Sequence, residues 1–208
     1  AFDTTSYSLT GGTLTLTGTA TVTTDGAANT IASDITGAVG LTKEGAGTLT
    51  LSGAANAYTG LSTVSAGTLA LSGTGTLGAS GNNLTLAGGS LDMGGASQTV
   101  GAVDIQAAGV ISNGGTLNAS SMTKSITGTG QLSALTAVTG ATTVTGGTLQ
   151  YSANGATGSI VINGGDISID DGVVLTPTGA GGITFSSTNA IGKTGTTGSL
   201  GFVTQTST

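Results

Sequence analysis

The sequence predicts an all-β protein, a parallel β-helix (β-solenoid) of about ten short coils. Three observations favour this fold class. Glycine supplies 40 of the 208 residues, whereas aromatic residues make up only 3%. A short phrase of Gly, Thr or Ser, and Leu recurs about every 20 to 30 residues, the spacing of stacked repeat units. No segment shows a sustained 3.6-residue period, so helices are not expected.

The recurring phrase indicates one strand in each unit. Its Leu and the apolar residue two positions later point to one face of the strand, while Thr, Ser or Ala points to the other. Glycine pairs and Asn-Gly steps separate the strands, where sharp corners favour positive φ. Copies of the phrase stand at 12–14, 47–49, 67–69, 89–91, 115–117 and 147–149, with a degenerate copy at 165–167.

Two architectures use short strands with glycine corners: a sandwich of hairpins, and a coil whose turns stack as parallel strands. A sandwich core is usually filled by aromatic side chains or a disulfide, whereas a narrow β-helix stacks Leu, Val, Ile and Ala. Three Tyr, three Phe and no Cys or Trp favour the β-helix. We expect a single solenoid domain over 1–208, with N-terminal coils in 1–40, the clearest repeats in 41–150 and C-terminal coils in 151–208.

Charge and hydropathy exclude several function classes. The net charge is −6, and the three cations are lysines that lie far apart, so nucleic acid is not expected as a partner. No apolar run approaches the roughly 18 residues that span a bilayer, and the first residues lack the pattern of a signal peptide. We therefore expect no insertion into a membrane and no cofactor. We also expect the chain to be a mature form that has already been processed.

Residues 41–71 combine a Lys, an Asn-x-Tyr-Thr-Gly step and two Gly-Thr-Leu phrases at fixed offsets. This segment resembles the passenger-associated repeat of autotransporters, which are bacterial surface proteins. The residues that carry the resemblance are Lys43, Gly45, Asn56, 47–49, 58–60, 63–64 and 67–69. The resemblance implies a secreted, right-handed β-helix at the bacterial surface, acting as a stalk, adhesin or scaffold.

One feature of that family is missing from the sequence. No membrane barrel of amphipathic strands with aromatic girdles follows the repeats. We therefore expect either a passenger piece separated from its barrel or a secreted subunit exported by another route.

Catalytic and metal sites are weakly indicated. Asp92 and Asp104 are separated by about one coil and are the nearest candidates for paired carboxylates, but the cations and aromatic platforms of β-helix enzymes are absent. We expect no enzymatic activity and interpret these acids as surface residues. Asp166, Asp170 and Asp171 are weak calcium candidates, with a solubilising acidic patch as the favoured interpretation.

Other unusual residues have a structural and a functional interpretation. Tyr58 and Tyr151 are either adhesive contacts or, as we favour, rings half-buried at coil corners. Lys43 and Glu44 are expected to form a solvated corner pair. Thr-x-Thr runs in 13–23 are similar to the threonine arrays of ice-binding solenoids. We expect Ala70 and Asp92 to interrupt such an array in later coils, so β propensity explains the threonines better.

The ends of the chain carry the strongest functional prediction. A β-helix has two open edges, and the aromatic residues near them either plug the edges or form a joint between subunits. These residues are Phe2 and Tyr7 at one end and Phe185 and Phe202 at the other. We predict self-association through Phe2, Tyr7 and Phe202. The leading functional hypothesis is a non-enzymatic extracellular scaffold that forms a head-to-tail homopolymer. The alternative is a passenger adhesin that binds host surface or matrix polymers.

Overall fold

The structure, a computed structural model, describes residues 6–26, 28–185 and 191–194, and every regular element in these ranges is a β-strand. The strands are short because glycine-containing corners interrupt the chain every few residues. Their bounds are β1 Ser8–Leu9, β2 Thr13–Leu16, β3 Ala20–Thr23, β4 Ala28–Ile31, β5 Asp34–Gly37, β6 Leu41–Glu44, β7 Thr48–Leu51, β8 Ser62–Val64, β9 Thr68–Leu71, β10 Leu84–Leu86, β11 Ser90–Asp92, β12 Gln98–Ile105, β13 Val110–Ser112, β14 Thr116–Lys124, β15 Thr129–Leu132, β16 Leu135–Val144, β17 Thr148–Tyr151, β18 Gly155–Ile162, β19 Asp166–Asp170, β20 Leu175–Pro177, β21 Ile183–Phe185 and β22 Ile191–Thr194.

These strands stack as parallel sheets, and each strand pairs with its counterpart in the next coil. Side A contains β1, β4, β7, β9, β11, β13, β15, β17, β19 and β22 in that order. Side B begins with β3, β6, β8 and β10 and continues through β12, β14, β16 and β18. The pairings that build these sheets are parallel throughout, so the chain winds as a solenoid of about nine turns, which confirms the predicted fold class.

A third side, side C, is built differently at the two ends of the stack. In the first two coils it is the pair β2 and β5. In the later coils the long strands β12, β14, β16 and β18 pass from side C to side B. The last described coil shows this division, because β20 pairs with the first half of β18 and β21 pairs with the second half.

The core is a set of columns, by which we mean residues that occupy the same position in successive coils. One column on side A runs in register through six coils and is nearly fully buried. Its members are Leu49, Leu69, Leu91, Ile111, Leu132 and Tyr151. The recurring phrase therefore places its Leu in the lumen, as the period of two predicts.

A column of threonines faces outward on side B. Thr21, Thr42, Thr63 and Thr85 lie in register, Asp104 interrupts the column, and Thr123 and Thr143 continue it. Ala70 and Asp92 do not belong to this column; they lie on side A, where they follow Thr30 and Thr50 in register and interrupt a second row of threonines. The threonines suit an exposed strand face because of their β propensity, and a row of hydroxyls alone does not define a site.

No helix long and apolar enough to cross a membrane occurs in the part of the chain that the structure describes.

Candidate functional site

The first coil presents an open end among the described residues. β1, β2 and β3 each pair with a strand of the second coil and lie at the end of their sheet orders. Tyr7 is 49% exposed and Leu9 is 42% exposed, beside this edge. The backbone N–H of Tyr7 donates to Asn29 Oδ1 at 2.9 Å, which fixes the start of the coil. Phe2 and Phe202 lie outside the described residues, as does the side chain of Phe185.

The structure separates Asp92 from Asp104. Asp92 lies on side A in register with Ala70 and Ser112, whereas Asp104 lies on side B in register with Thr85 and Thr123. Two carboxylates on different sides of a solenoid do not form an acid/base pair.

Both carboxylates act as hydrogen-bond acceptors instead. Asp92 accepts from Gly94 N at 2.9 Å and from Asn113 Nδ2 at 3.0 Å. Asp104 accepts from Gln106 Nε2 at 3.0 Å and from Ser125 Oγ at 2.8 Å. Asn113 and Ser125 belong to the next coil, so each carboxylate joins two coils.

The calcium candidates lie around the last well-paired strand of side A. Asp166 and Asp170 are at the two ends of β19, and Asp171 follows it. Asp170 Oδ1 accepts a hydrogen bond from Gln150 Nε2 at 2.8 Å, which again joins neighbouring coils. Within residues 6–26, 28–185 and 191–194, no three acidic or metal-ligating side chains are grouped closely enough to hold a metal ion.

Two lysines are buried in the lumen. Lys43 and Lys124 are both 0% exposed, so the expectation that Lys43 and Glu44 form a solvated pair is wrong. Lys43 Nζ donates to the carbonyl oxygens of Glu44 at 2.7 Å, Gly45 at 2.7 Å and Ala66 at 3.2 Å. Burial lowers the pKa of Lys43, and the charge of Asp25 opposes that shift.

Lys124 repeats this arrangement. Its Nζ donates to the carbonyl oxygen of Gln106 at 2.7 Å and to that of Ile126. Burial lowers the pKa of Lys124, and Asp104 opposes the shift. Each ammonium group therefore takes the place of water for carbonyls at a corner.

Two tyrosines are also buried, not half-buried at corners as the sequence suggested. Tyr58 and Tyr151 are 0% exposed, and burial raises the pKa of each to about 12. The Tyr58 hydroxyl and Ser62 Oγ are 2.7 Å apart. The Tyr151 hydroxyl lies beside Thr142 but has no hydrogen bond of good geometry to the described residues. Neither ring offers an adhesive surface.

Side C lacks strands in the third and fourth coils, where amide side chains supplement backbone hydrogen bonds such as that from Ala57 N–H to the Ile35 carbonyl at 2.7 Å. Asn56 Oδ1 accepts from Ile35 N at 2.9 Å, and its Nδ2 donates to Thr76 O at 3.0 Å. Gln98 Oε1 accepts from Leu77 N at 3.3 Å. The recessed segment forms a groove of about 410 Å³. None of its lining side chains is charged, and Asp34 Oδ1 accepts a hydrogen bond from Ala55 N at 2.9 Å. The lining consists of Ala54, Ala55, Asn56, Thr76, Gly78, Ala79, Ser80, Ser97, Gln98 and Thr99.

The buried lysines were missed although the sequence carried a signal. In Leu41-Thr42-Lys43 and Met122-Thr123-Lys124 the period of two places the lysine on the inner face. A charged side chain is almost never fully buried without partners, and its partners here are backbone carbonyls of its own corner and of a neighbouring coil, which a sequence pattern does not show.

Comparisons with known proteins agree with this architecture. Residues 41–71 match the sequence model of the passenger-associated-transport-repeat family. The chain is 47% identical over 89 residues to the adhesin BmaC autotransporter of Brucella suis biovar 1 (strain 1330), and the alignment covers 42% of this chain and 3% of that protein. This chain thus corresponds to a small part of the relative's length. No solved structure matches the chain significantly. The chain is a β-solenoid that carries a passenger-associated-transport repeat, as the resemblance of 41–71 predicted.

Proposed function

We propose that this chain is a rigid, non-enzymatic scaffold segment of a bacterial surface protein of the adhesin type. The observation that carries the proposal is the continuous stack of about nine coils, in which columns of buried side chains run from coil to coil. At about 4.8 Å per stacked strand, nine coils give a rod of roughly 40 to 45 Å. Similarity to part of an autotransporter adhesin supports an extracellular or cell-surface location.

The scaffold role has a direct test. Small-angle X-ray scattering and negative-stain microscopy of the 208-residue protein should show a rod whose cross-section is constant along its length. A compact sphere, or beads joined by a flexible linker, would contradict the rigid scaffold.

We further propose that the scaffold associates head to tail through its ends. The open edge of β1, β2 and β3 among the described residues, with Tyr7 and Leu9 exposed beside it, supports this part of the proposal. A joint between the first coil of one copy and the last coil of another is heterologous, and a heterologous contact that does not close produces a filament. The exposed apolar side chains would be buried in such a joint.

The association test uses a matched pair of exposed leucines. Leu9 lies at the end of the stack, whereas Leu61 is 46% exposed on its flank. Sedimentation velocity over a range of concentrations should show oligomers for the wild type and for Leu61→Asp, and monomers for Leu9→Asp. Deleting 1–8, or separately 202–208, should also abolish assembly. A wild type that stays monomeric at high concentration, or truncations that assemble normally, would exclude the head-to-tail joint without affecting the rod.

A second candidate function is recognition of an uncharged polymer of the host surface or matrix. The uncharged groove of side C, lined by hydroxyl and amide groups, favours this adhesive role. Binding to immobilised neutral glycans should weaken in Thr99→Lys, which places a long charged side chain at the groove, and persist in Thr63→Lys on side B. Equal binding by both variants would exclude the groove.

A further inference from the structure

Lys43 and Lys124 occupy one column of the lumen. On side B the column runs in register from coil to coil, and between positions 22 and 162 all its other members are aliphatic. Its members are Val22, Lys43, Val64, Leu86, Ile105, Lys124, Val144 and Ile162. An aliphatic residue would fill this position without placing a charge in the core, so the lysines need a structural reason.

That reason lies at the corner that leads from side B to side A. Strand pairing ends at this corner; Thr24 N–H still reaches the Glu44 carbonyl at 3.0 Å, but the carbonyls that follow need donors from elsewhere. Lys43 Nζ contacts the carbonyls of Glu44 and Gly45 in its own corner and that of Ala66 in the corner of the next coil. An ammonium group has three N–H donors, so Lys43 uses all of them.

Lys124 joins its own coil to the preceding one, whereas Lys43 joins its coil to the next one. It donates to Ile126 in its own corner and to Gln106 in the corner of the preceding coil. The lumen is also shaped to hold it: a Cβ on Gly130 would lie 3.2 Å from Lys124 Cδ and 2.7 Å from Ile105 Cγ2. A larger residue at position 130 would therefore press on the column that carries the lysine.

We propose that Lys43 and Lys124 are internal clips, each of which locks the B-to-A corners of two successive coils through its ammonium group. Opening either pair of coils then requires removing the ammonium group from its carbonyls. The clips act locally, because each one restrains only the corners that it contacts. The free energy of opening one part of a protein depends on the bonds that this part must break. This inference concerns the stability of coils and does not depend on the proposed function.

The clips also affect protease resistance. Trypsin cleaves after lysine and must bind its side chain, so cleavage at Lys43 or Lys124 requires extracting a side chain that is 0% exposed. The small number of lysines in the sequence already predicts resistance to trypsin, and the burial of Lys43 and Lys124 should increase that resistance.

Hydrogen–deuterium exchange of matched variants tests the proposal. Lys43→Met and Lys124→Met keep an apolar stem and remove the ammonium group, and Leu86→Met is a control at the same column. Lys43→Met should speed amide exchange at about 44–47 and 65–68 by roughly tenfold or more and leave 106–109 and 125–131 unchanged. Lys124→Met should speed exchange at 106–109 and 125–131 and leave 44–47 and 65–68 unchanged. Leu86→Met should affect neither region.

The results that would overturn the proposal are equally specific. Unchanged exchange in both lysine variants, or faster exchange spread evenly over the whole solenoid, would mean that the lysines are not local clips. If a variant fails to fold, reductive methylation of the wild type decides instead. Lys43 and Lys124 should resist methylation under native conditions and react after denaturation, and rapid native labelling would exclude the clips.

Discussion

Two regions of the solenoid satisfy their backbone in different ways. From β6 to β10, side C lacks strands, and Asn56 and Gln98 add hydrogen bonds to the few that the backbone makes there. From β14 to β18 each strand continues through the corner with a shift of register there, and backbone pairing covers side C. In the second region, the polar atoms of Thr136 and Tyr151 are buried without good hydrogen-bond partners among the described residues. We therefore expect the hydrogen bonds of Asn56 and Gln98 to matter more for stability than the hydroxyls of Thr136 and Tyr151 do.

The largest expected effect is a loss of stability at alkaline pH, because each region buries one tyrosine. Burial raises the pKa of Tyr58 and Tyr151 from 10.0 to about 12. The unfolded chain therefore loses these protons first. The contribution of the two protonated tyrosines to the free energy of unfolding is complete below pH 10 and is lost as the pH rises to about 12. Each ring contributes about 2 to 3 kcal/mol to this loss. Urea unfolding at pH 9 to 12 measures it.

Single variants assign the alkaline loss to one region or the other. Tyr58→Phe and Tyr151→Phe should each remove about half of the decrease, and the double variant should remove most of it. A wild-type free energy of unfolding that does not change between pH 10 and 12 would contradict the burial of both rings.

The two buried lysines should make the free energy of unfolding rise with pH, which is opposite to the effect of the tyrosines and occurs at slightly lower pH. Burial lowers the pKa of Lys43 and Lys124 below 10.5, against the charges of Asp25 and Asp104. The folded protein then releases these protons before the unfolded chain does. Stability should rise with pH in the interval that ends near 10.5, and this rise should disappear in the Lys43→Met, Lys124→Met double variant.

The second prediction compares Asn56 with Thr136. Asn56→Leu removes the partners of Ile35 N–H and the Thr76 carbonyl, and two buried groups left without hydrogen bonds cost about 2 to 4 kcal/mol. Thr136→Val replaces a buried hydroxyl that lacks a partner, so its free energy of unfolding should stay equal or rise. Denaturant midpoints with unchanged slopes would report these differences. Equal losses in both variants would remove the distinction between the two regions.

The sequence predicted the stack but not the contents of its lumen. The period of two and the recurring phrase identify strands and core columns, and Asn113, with φ of 51°, confirms a corner expected at an Asn-Gly step. The sides that Asp92 and Asp104 face depend on how β12 turns its corner, which neither residue's local pattern encodes. The burial of the tyrosines depends on glycines elsewhere in the fold.

Those glycines provide the third prediction. A Cβ on Gly155 would lie 2.6 Å from Tyr151 Cε1, whereas a Cβ on Gly78 would lie 2.6 Å from the Tyr58 carbonyl oxygen and 2.9 Å from its ring. Gly155→Ala and Gly78→Ala should each destabilise the protein by about 1 to 3 kcal/mol. Thermal unfolding measures both losses.

A second substitution in each variant distinguishes an obstruction by a side chain from an obstruction by the backbone. Tyr151→Leu should recover most of the loss in Gly155→Ala, because the obstruction is a side chain. Tyr58→Leu should not rescue Gly78→Ala, since Gly78 has φ of +76° and the nearest Tyr58 atom belongs to the backbone. Rescue in both pairs, or in neither, would contradict this account of how the rings are accommodated.

The smallest expected effect concerns the tyrosine hydroxyls at neutral pH. The Tyr58 hydroxyl is 2.7 Å from Ser62 Oγ, so Tyr58→Phe leaves Ser62, which is 1% exposed, without this partner. The loss should be about 1 kcal/mol, as for one buried hydrogen bond. Tyr151→Phe removes a hydroxyl that is buried without a good partner, so stability should not fall. The two variants keep the same ring, and the difference between their denaturant midpoints therefore isolates the hydrogen bond.

Adding Ser62→Ala to Tyr58→Phe should recover part of the loss, because no buried hydroxyl then remains unpaired. A larger loss in Tyr151→Phe than in Tyr58→Phe would show that Thr142 is a stronger partner than its geometry indicates, and that the second region also depends on its polar side chains.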